Sequence, residues 1–278
     1  MENAIKENDV YTPKFVAPTA NILAVDDTEI NLTVLQGLLK QTKVNLVCCT
    51  SGRQALEEIN KEHFDVMLID HRMPEMDGIE LLKFIRQNKD NSNFSSICIA
   101  LTANVIEGAA ENYLKVGFDD YMAKPVDGTR LEETLLKYIP KEKLQESDTS
   151  ETEEVVIDEK LRDAIKKLGD KNILDVESGI GYAGSMAMFA DTLKVFKESI
   201  DSKADEIEEL YFKDDIENYG IKVHALKSTA KLIGAMELSD KAKALEEAAK
   251  NGDIEYIKDN NYELISQYRS FKDTLTDI

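Results

Sequence analysis

Five polar side chains stand just beyond short apolar runs, where chemistry can be done. Asp26 and Asp27 follow Asn21–Val25, Asp70 follows Phe64–Ile69, Thr102 follows Ser96–Leu101, and Lys124-Pro125 come just after Asp119–Met122. In an open parallel sheet, ligands gather at the carboxyl ends of the strands, where the strand order reverses. With order 2-1-3-4-5, the first and third strands are neighbours at that reversal, and three carboxylates crowd one rim. Left alone they repel one another and take up protons. A hard divalent cation resolves this, and Mg²⁺ suits a few carboxylates with waters and phosphoryl oxygens. The hydroxyl of Thr102 and the ammonium of Lys124 complete a set suited to holding a phosphoryl group on a carboxylate.

A second reactive group lies far along the chain. His224 sits in a helical pattern in which Tyr219, Val223, Leu226, Ala230 and Ile233 form one apolar stripe. At about 100° per residue, His224 lies roughly 100° from Val223, on the flank of that stripe. Gly220, Lys227, Ser228 and Lys231 share its face. The histidine is therefore expected to face the surface, with small neighbours that admit a partner. An imidazole nitrogen is a good nucleophile near neutral pH, and lysines one and two turns on would stabilise a phosphoryl group placed there. His63 reads as a surface residue. His71, beside Asp70, reads as an orienting or plain structural residue, because adjacent strand-end side chains diverge.

The elements that must position these groups come in two textures. Over 21–139, apolar runs at Asn21–Val25, Val44–Cys48, Phe64–Ile69, Ser96–Leu101 and Asp119–Met122 alternate with helical spacing at 28–41, 52–62, 77–89, 104–117 and 127–138. Five such repeats predict a parallel sheet covered by helices on both faces. Lys141–Glu154 is polar and acidic and reads as a linker over 140–154. From 155 to 278 only helical spacing remains, at about 158–168, 185–199, 201–212, 215–233, 236–250 and 253–276, so an all-α bundle is expected. Residues 1–20, with Pro13 and Pro18, read as a further linker and hint that the chain is the tail of a longer protein.

Of 278 residues, 42% are apolar and 32% charged, with 34 basic against 54 acidic side chains and a net charge of −20. That is enough apolar material for true cores. So acidic a chain disfavours nucleic-acid partners and direct contact with anionic membranes. No apolar run approaches the roughly 18 residues of a membrane span, and the N-terminus lacks a secretory pattern, so a cytoplasmic protein is expected. Cys48, Cys49 and Cys98 form neither a disulfide framework nor a zinc spacing; they are expected to be buried thiols, with Cys48 and Cys49 on opposite sheet faces.

Residues 21–139 resemble the receiver domain of two-component signalling, with its flavodoxin-like α/β fold. The resemblance rests on Asp26-Asp27, the segment from Asp70 through Arg72 and Pro74 to Asp77-Gly78, Thr102-Ala103, and Lys124-Pro125. It implies that Asp70 is the phosphoacceptor and that Asp26, Asp27, Asp70 and the backbone carbonyl of Arg72 hold Mg²⁺, Asp26 partly through water. Thr102 and Lys124 would touch the phosphoryl oxygens, Tyr121 would be the switch aromatic, and the Lys124-Pro125 peptide would be cis. The string HALKSTAKLIGA, from His224 to Ala235, resembles the signature of histidine-phosphotransfer (HPt) domains, with Ser228 where Gly is more usual. It implies a four-helix core carrying phosphate on His224 beside Lys227. The segment Asp175–Gly184 resembles the entry to that bundle.

The two resemblances together imply a phosphorelay protein ordered like the tail of a hybrid sensor histidine kinase. Its partners would be a histidine kinase, upstream in cis or in trans, and a downstream response regulator receiver. No ATP lid or P-loop is visible, so phosphotransfer without ATP-dependent kinase activity is expected. The alternative is an interaction module switched by phosphorylation with no onward relay. A haloacid-dehalogenase-like phosphatase would need a DxDx(T/V) loop that Asp26-Asp27-Thr28 does not supply. Ile30 and Val34, on the outer side of the first helix beside the acidic pair, are expected to be exposed and to form the docking patch for a histidine-bearing helix.

Overall fold

The computed structural model describes residues 13–102, 109–145 and 157–278. Strands β1 (Asn21–Val25), β2 (Asn45–Cys49), β3 (Val66–Asp70), β4 (Ile97–Thr102) and β5 (Asp120–Ala123) form one parallel sheet in the order β2-β1-β3-β4-β5. Helices α1 (Glu29–Leu39), α2 (Gly52–Ile59), α3 (Gly78–Gln87), α4 (Ala109–Val116) and α5 (Gly128–Tyr138) connect and flank them. β3 is buried at every position and β4 at all but its first, as strands covered on both faces must be. β2 to β5 each end one residue later than the apolar runs suggest. Cross-strand pairing carries the terminal polar residues in register, Asp70 opposite Leu101 and Thr102 opposite Ala123.

Local chemistry sets the helix starts. Asp77 caps α3 in a capping box with Glu80, Ser51 caps α2 and Asp127 caps α5. In the C-terminal part, Asp158, Asp175, Asp215 and Asp253 do the same for α6 (Glu159–Asp170), α7 (Val176–Ala183), α9 (Ile216–Leu232) and α11 (Ile254–Thr274). Part of the acidic excess is thus spent on helix N-termini, where negative charge is stabilising.

Helices α8 (Met186–Phe212), α9, α10 (Met236–Asn251) and α11 pack in a closed four-helix bundle, with α6 and α7 beside it. α8 is one helix of 27 residues rather than the two expected over 185–199 and 201–212. No Gly or Pro interrupts it, and Ile200 at the expected break is fully buried. The α9 stripe of Tyr219, Val223, Leu226, Ala230 and Ile233 is buried as expected. Gly234 has φ +76 and lies so close to Asp175 that a Cβ would meet its carbonyl oxygen at 2.3 Å, so a side chain there would push α7 off the bundle.

Two linker expectations are corrected. Residues 13–20 pack on the sheet domain: Phe15, Ala17 and Ala20 are buried, and Val16 forms an antiparallel bridge with Gln145. Lys143 meanwhile pairs with Asp65 at 2.7 Å. Apolar Phe15 and Val16 in a polar stretch make the N-terminal segment a docked strap. Residues 1–12 and 146–154 of the expected linkers lie outside the described residues.

Cys49 and Cys98 are buried, and burial pushes both thiols up to about 12. Cys48 is only half-buried because β2 is an edge strand. Cys48 and Cys49 pack into the two different core layers, as their alternation requires. Among the described residues, no helix is long and apolar enough to cross a membrane.

Candidate functional site

The sheet rim gathers the sequence-predicted acids. Asp26 follows β1 directly, Asp70 closes β3, and the two are fully and almost fully buried. One carboxylate oxygen from each of Asp26, Asp27 and Asp70 lies within 4.8 Å of the others. Lys124 Nζ reaches between them, 2.6 Å from Asp26 and 2.7 Å from Asp70. The Lys124-Pro125 peptide is cis. Asp26 is held further by Asn31 Nδ2, which donates at 2.9 Å, and by the Thr28 amide at 3.0 Å. It is Asp26, not Asp27, that takes the amide at the start of α1. Gly78 packs against the Asp70 backbone so closely that a Cβ would sit 2.3 Å from its carbonyl oxygen, which fixes the loop after β3.

Burial pushes the Asp70 carboxyl up to about 7, against the opposing pull of Lys124 and with help from Asp26. Desolvation, then Asp26, also raises Asp27. Burial opposes the Lys124 charge, but Asp26 and Asp70 outweigh it and hold the ammonium above its ordinary value. Three acids against Lys124, with Lys222 3.9 Å from Asp27, still leave an anionic excess that a divalent cation would neutralise, so the residues present fit such an ion. Thr102 closes β4 and is buried; Tyr121, on β5, is half-buried against the core layer that contains Met67 and Ile69 of β3.

His224 does not face open solvent. It is 7% exposed, and its Nδ1 lies 2.7 Å from Glu246 Oε1 on α10. The flank of α9 is covered by α10 on one side and approached by the sheet domain on the other. Glu246, itself 1% exposed, draws in Lys227 at 2.6 Å, Lys250 at 2.5 Å and, from the other domain, the Arg72 guanidinium at 3.3 Å. Burial would raise the Glu246 carboxyl, but hydrogen bonds from His224, Lys227 and Lys250 keep it far below the usual carboxylate range. Burial pulls the His224 imidazole down to about 4, over the opposing effect of Glu246. Lys227 is also lowered by burial. The small Ser228 is tied back to the His224 carbonyl at 3.2 Å.

The two sites face one another. α1 packs on α7 and α8, with Gly37 against Met188 and Leu38 against Gly184. Lys222, two residues before His224, lies 3.9 Å from Asp27. Arg72, two residues after Asp70, pairs with the glutamate that holds His224. Ile30 and Val34 are 3% and 2% exposed, which corrects the expectation of an open patch. Ile30 lines a recess with Val195, Ile207, Leu226 and Tyr268 of the bundle, so the chain's own helices cover this helix face.

Two participants belong to no motif in the sequence: Glu246 and Lys222. Glu246 is one glutamate in an acidic helix, beside the apolar Leu245 and Ala248. Its flank position on a helix adjacent to α9 was the one available signal. His63 is exposed and contacts the Ser92 carbonyl, away from both sites.

Comparison with known proteins agrees with this division. The response regulator receiver domain family matches residues 22–136, and the Hpt domain family matches residues 191–267. The signal transduction histidine-protein kinase BarA of Escherichia coli K12 is 27% identical over 233 residues, covering 83% of this chain and 24% of that protein. The sensor protein GacS of Pseudomonas syringae is 27% identical over 228 residues, covering 81% and 24%. The chain therefore spans about a quarter of the length of these relatives. Among solved structures, the receiver domain of the Pseudomonas aeruginosa sensor histidine kinase PA1611, with magnesium in its active-site cleft, is 32% identical. That match covers 43% of this chain and 96% of that one, with a TM-score of 0.39. The chain thus carries a response regulator receiver domain over residues 22–136 followed by an Hpt domain over residues 191–267.

Proposed function

We propose that Asp70 accepts a phosphoryl group from a phosphohistidine and that His224 carries phosphate to or from an aspartate. The observation that carries this reading is the facing of the two sites, with Lys222 beside Asp27 and with Arg72 and His224 sharing Glu246. An Asp70 carboxylate oxygen attacks phosphorus, the P–N bond breaks, and the imidazole nitrogen keeps the electron pair. In the reverse step the imidazole nitrogen attacks the acyl phosphate and Asp70 leaves as carboxylate. Glu246 bonded to Nδ1 leaves Nε2 as the nitrogen for transfer. Lys124 balances charge on the Asp70 side, and Thr102 donates to a phosphoryl oxygen there.

Asp26, Asp27, Asp70 and the Arg72 carbonyl are the residues that would hold Mg²⁺. When bound, the ion would supply positive charge that favours the ionised Asp70 carboxylate and balances the phosphoryl oxygens. Tyr121 is the switch aromatic in this reading. Lys227 would meet phosphate on His224 after leaving Glu246. The covered Ile30–Val34 face of α1 makes transfer within one chain the favoured route. The chain works in the cytoplasm, as part of or beside a sensor histidine kinase, and a downstream response regulator receiver takes phosphate from His224.

The test is labelling of the full chain with a small-molecule phosphodonor and Mg²⁺. Base-labile phosphate on Asp70 should form first and acid-labile phosphate on His224 second, at a rate independent of protein concentration. Absence of label on Asp70 refutes the acceptor assignment, and a transfer rate proportional to concentration refutes the intramolecular route.

A further inference from the structure

Behind Asp70 lies a hydrogen-bonded chain that the phosphotransfer reading does not use. Tyr113, on α4, is 9% exposed, and its ring meets His71 edge to face at 5.2 Å and Phe118 at 6.0 Å. Its hydroxyl donates to Thr102 Oγ1 at 3.0 Å and lies 2.7 Å from His71 Nδ1. A phenol has one proton. With that proton directed to Thr102, the short contact to His71 requires the imidazole to donate from Nδ1–H. The direction holds whether the ring is neutral or charged, since Nδ1 carries a proton in both cases. Backbone bonds anchor His71: its N–H donates to the Leu101 carbonyl at 3.0 Å, and its carbonyl accepts from Gly78 at 3.0 Å. The donor chain therefore starts from a fixed point one residue past Asp70 and ends on the hydroxyl that closes β4.

From this we infer that His71 and Tyr113 are positioning residues for phosphorylation of Asp70. They form a one-way relay, His71 Nδ1–H to Tyr113 O–H to Thr102. A threonine hydroxyl that accepts from Tyr113 keeps its own proton for donation, and the occupied lone pair restricts where that proton points. Donors in series also polarise one another, which strengthens the last bond of the chain. Thr102 is thus held in one orientation at the rim before phosphate arrives. The aromatic bonded to Thr102 in this chain of donors comes from α4. The inference rests on Asp70 being the acceptor, and the experiment separates the two claims.

The experiment uses the full chain with acetyl phosphate and Mg²⁺, and measures the initial rate of base-labile labelling for wild type, Tyr113→Phe, His71→Leu, His71→Asn and the Tyr113→Phe/His71→Leu double variant. Loss of one neutral donor should lower the rate roughly three- to tenfold in Tyr113→Phe and in His71→Leu. The double variant should be no slower than either single one, because they break the same chain. His71→Asn, whose amide nitrogen takes the place of Nδ1, should recover most of the rate. As a metal-free readout, nitrogen NMR of ¹⁵N-histidine protein should show His71 protonated at Nδ1 in wild type and moved to Nε2 in Tyr113→Phe. If wild type takes no label on Asp70, the acceptor assignment fails. If wild type is labelled and Tyr113→Phe is equally fast or faster, or His71 is already protonated at Nε2, the relay is refuted.

Discussion

Ile30→Lys should uncouple the two domains while leaving the acidic site able to take phosphate. Ile30 is 3% exposed and lines a recess with Val195, Ile207, Leu226 and Tyr268, and Lys203 and Lys222 line the same recess. Removing a fully buried isoleucine costs about 1.5–3 kcal/mol. The new ammonium meets Lys203 and Lys222 but also Asp27 and Glu29 of the same recess, so its charge interactions largely offset and the lost burial dominates. The lysine stem recovers part of this by lying along the apolar wall. A net loss of about 1.5–3 kcal/mol corresponds to a ten- to hundredfold drop in the docked fraction. The assay follows label from a small phosphodonor on Asp70 to acid-labile phosphate on His224. The first rate should match wild type, and the second should fall by one to two orders of magnitude. Transfer at the wild-type rate would refute docking through α1; loss of both rates would show that the substitution disturbed the rim itself.

Three other outcomes are expected. Asp70→Asn should abolish base-labile labelling, and chelation of divalent cations should do the same to wild type; label that persists in either case counts against the acceptor assignment. Glu246→Ala removes a buried carboxylate that serves His224, Lys227, Lys250 and Arg72, and should destabilise the chain by about 3–5 kcal/mol in urea unfolding; a loss under about 1 kcal/mol would mean the cluster is looser than its distances. His224, pulled down to about 4 from an ordinary 6.5, takes a proton in the unfolded chain before it does in the folded one. Its contribution is fully present above about pH 6.5 and is lost as pH falls toward 4, by up to about 1.4 kcal/mol per pH unit. Asp70, raised to about 7, acts in the opposite sense, so the quantity to read is the difference between wild type and His224→Gln. That difference should shrink between pH 7.5 and 5; a constant difference would mean the imidazole titrates normally.

The receiver fold and its rim were legible from the chain because their signals are local and repeated. Apolar runs buried on both faces alternate with helical spacing, and a polar residue at the end of a parallel strand has one rim to occupy. Asp26, Asp70, Thr102 and Lys124 could thus be placed from position alone, as could the buried stripe of α9. The linker expectation for residues 13–20 failed because two apolar residues, Phe15 and Val16, decide docking there while composition reads as polar. The break expected near residue 200 failed because one buried stripe, Phe189, Leu193, Phe196, Ile200, Ala204 and Ile207, runs through it at unbroken helical spacing.

Tertiary structure alone decided what covers a flank. A helical wheel gives the angle of His224 from the stripe but not the identity of the neighbour, and α10 with Glu246 and the receiver with Arg72 turned an expected surface group into a buried one. The same holds for Ile30 and Val34, whose exposure depended on a second domain more than 100 positions away in sequence. The meeting of His71, Tyr113 and Thr102 likewise joins three elements. Periodicity reports how one element divides between core and surface; contacts between elements depend on register and packing that no single segment encodes.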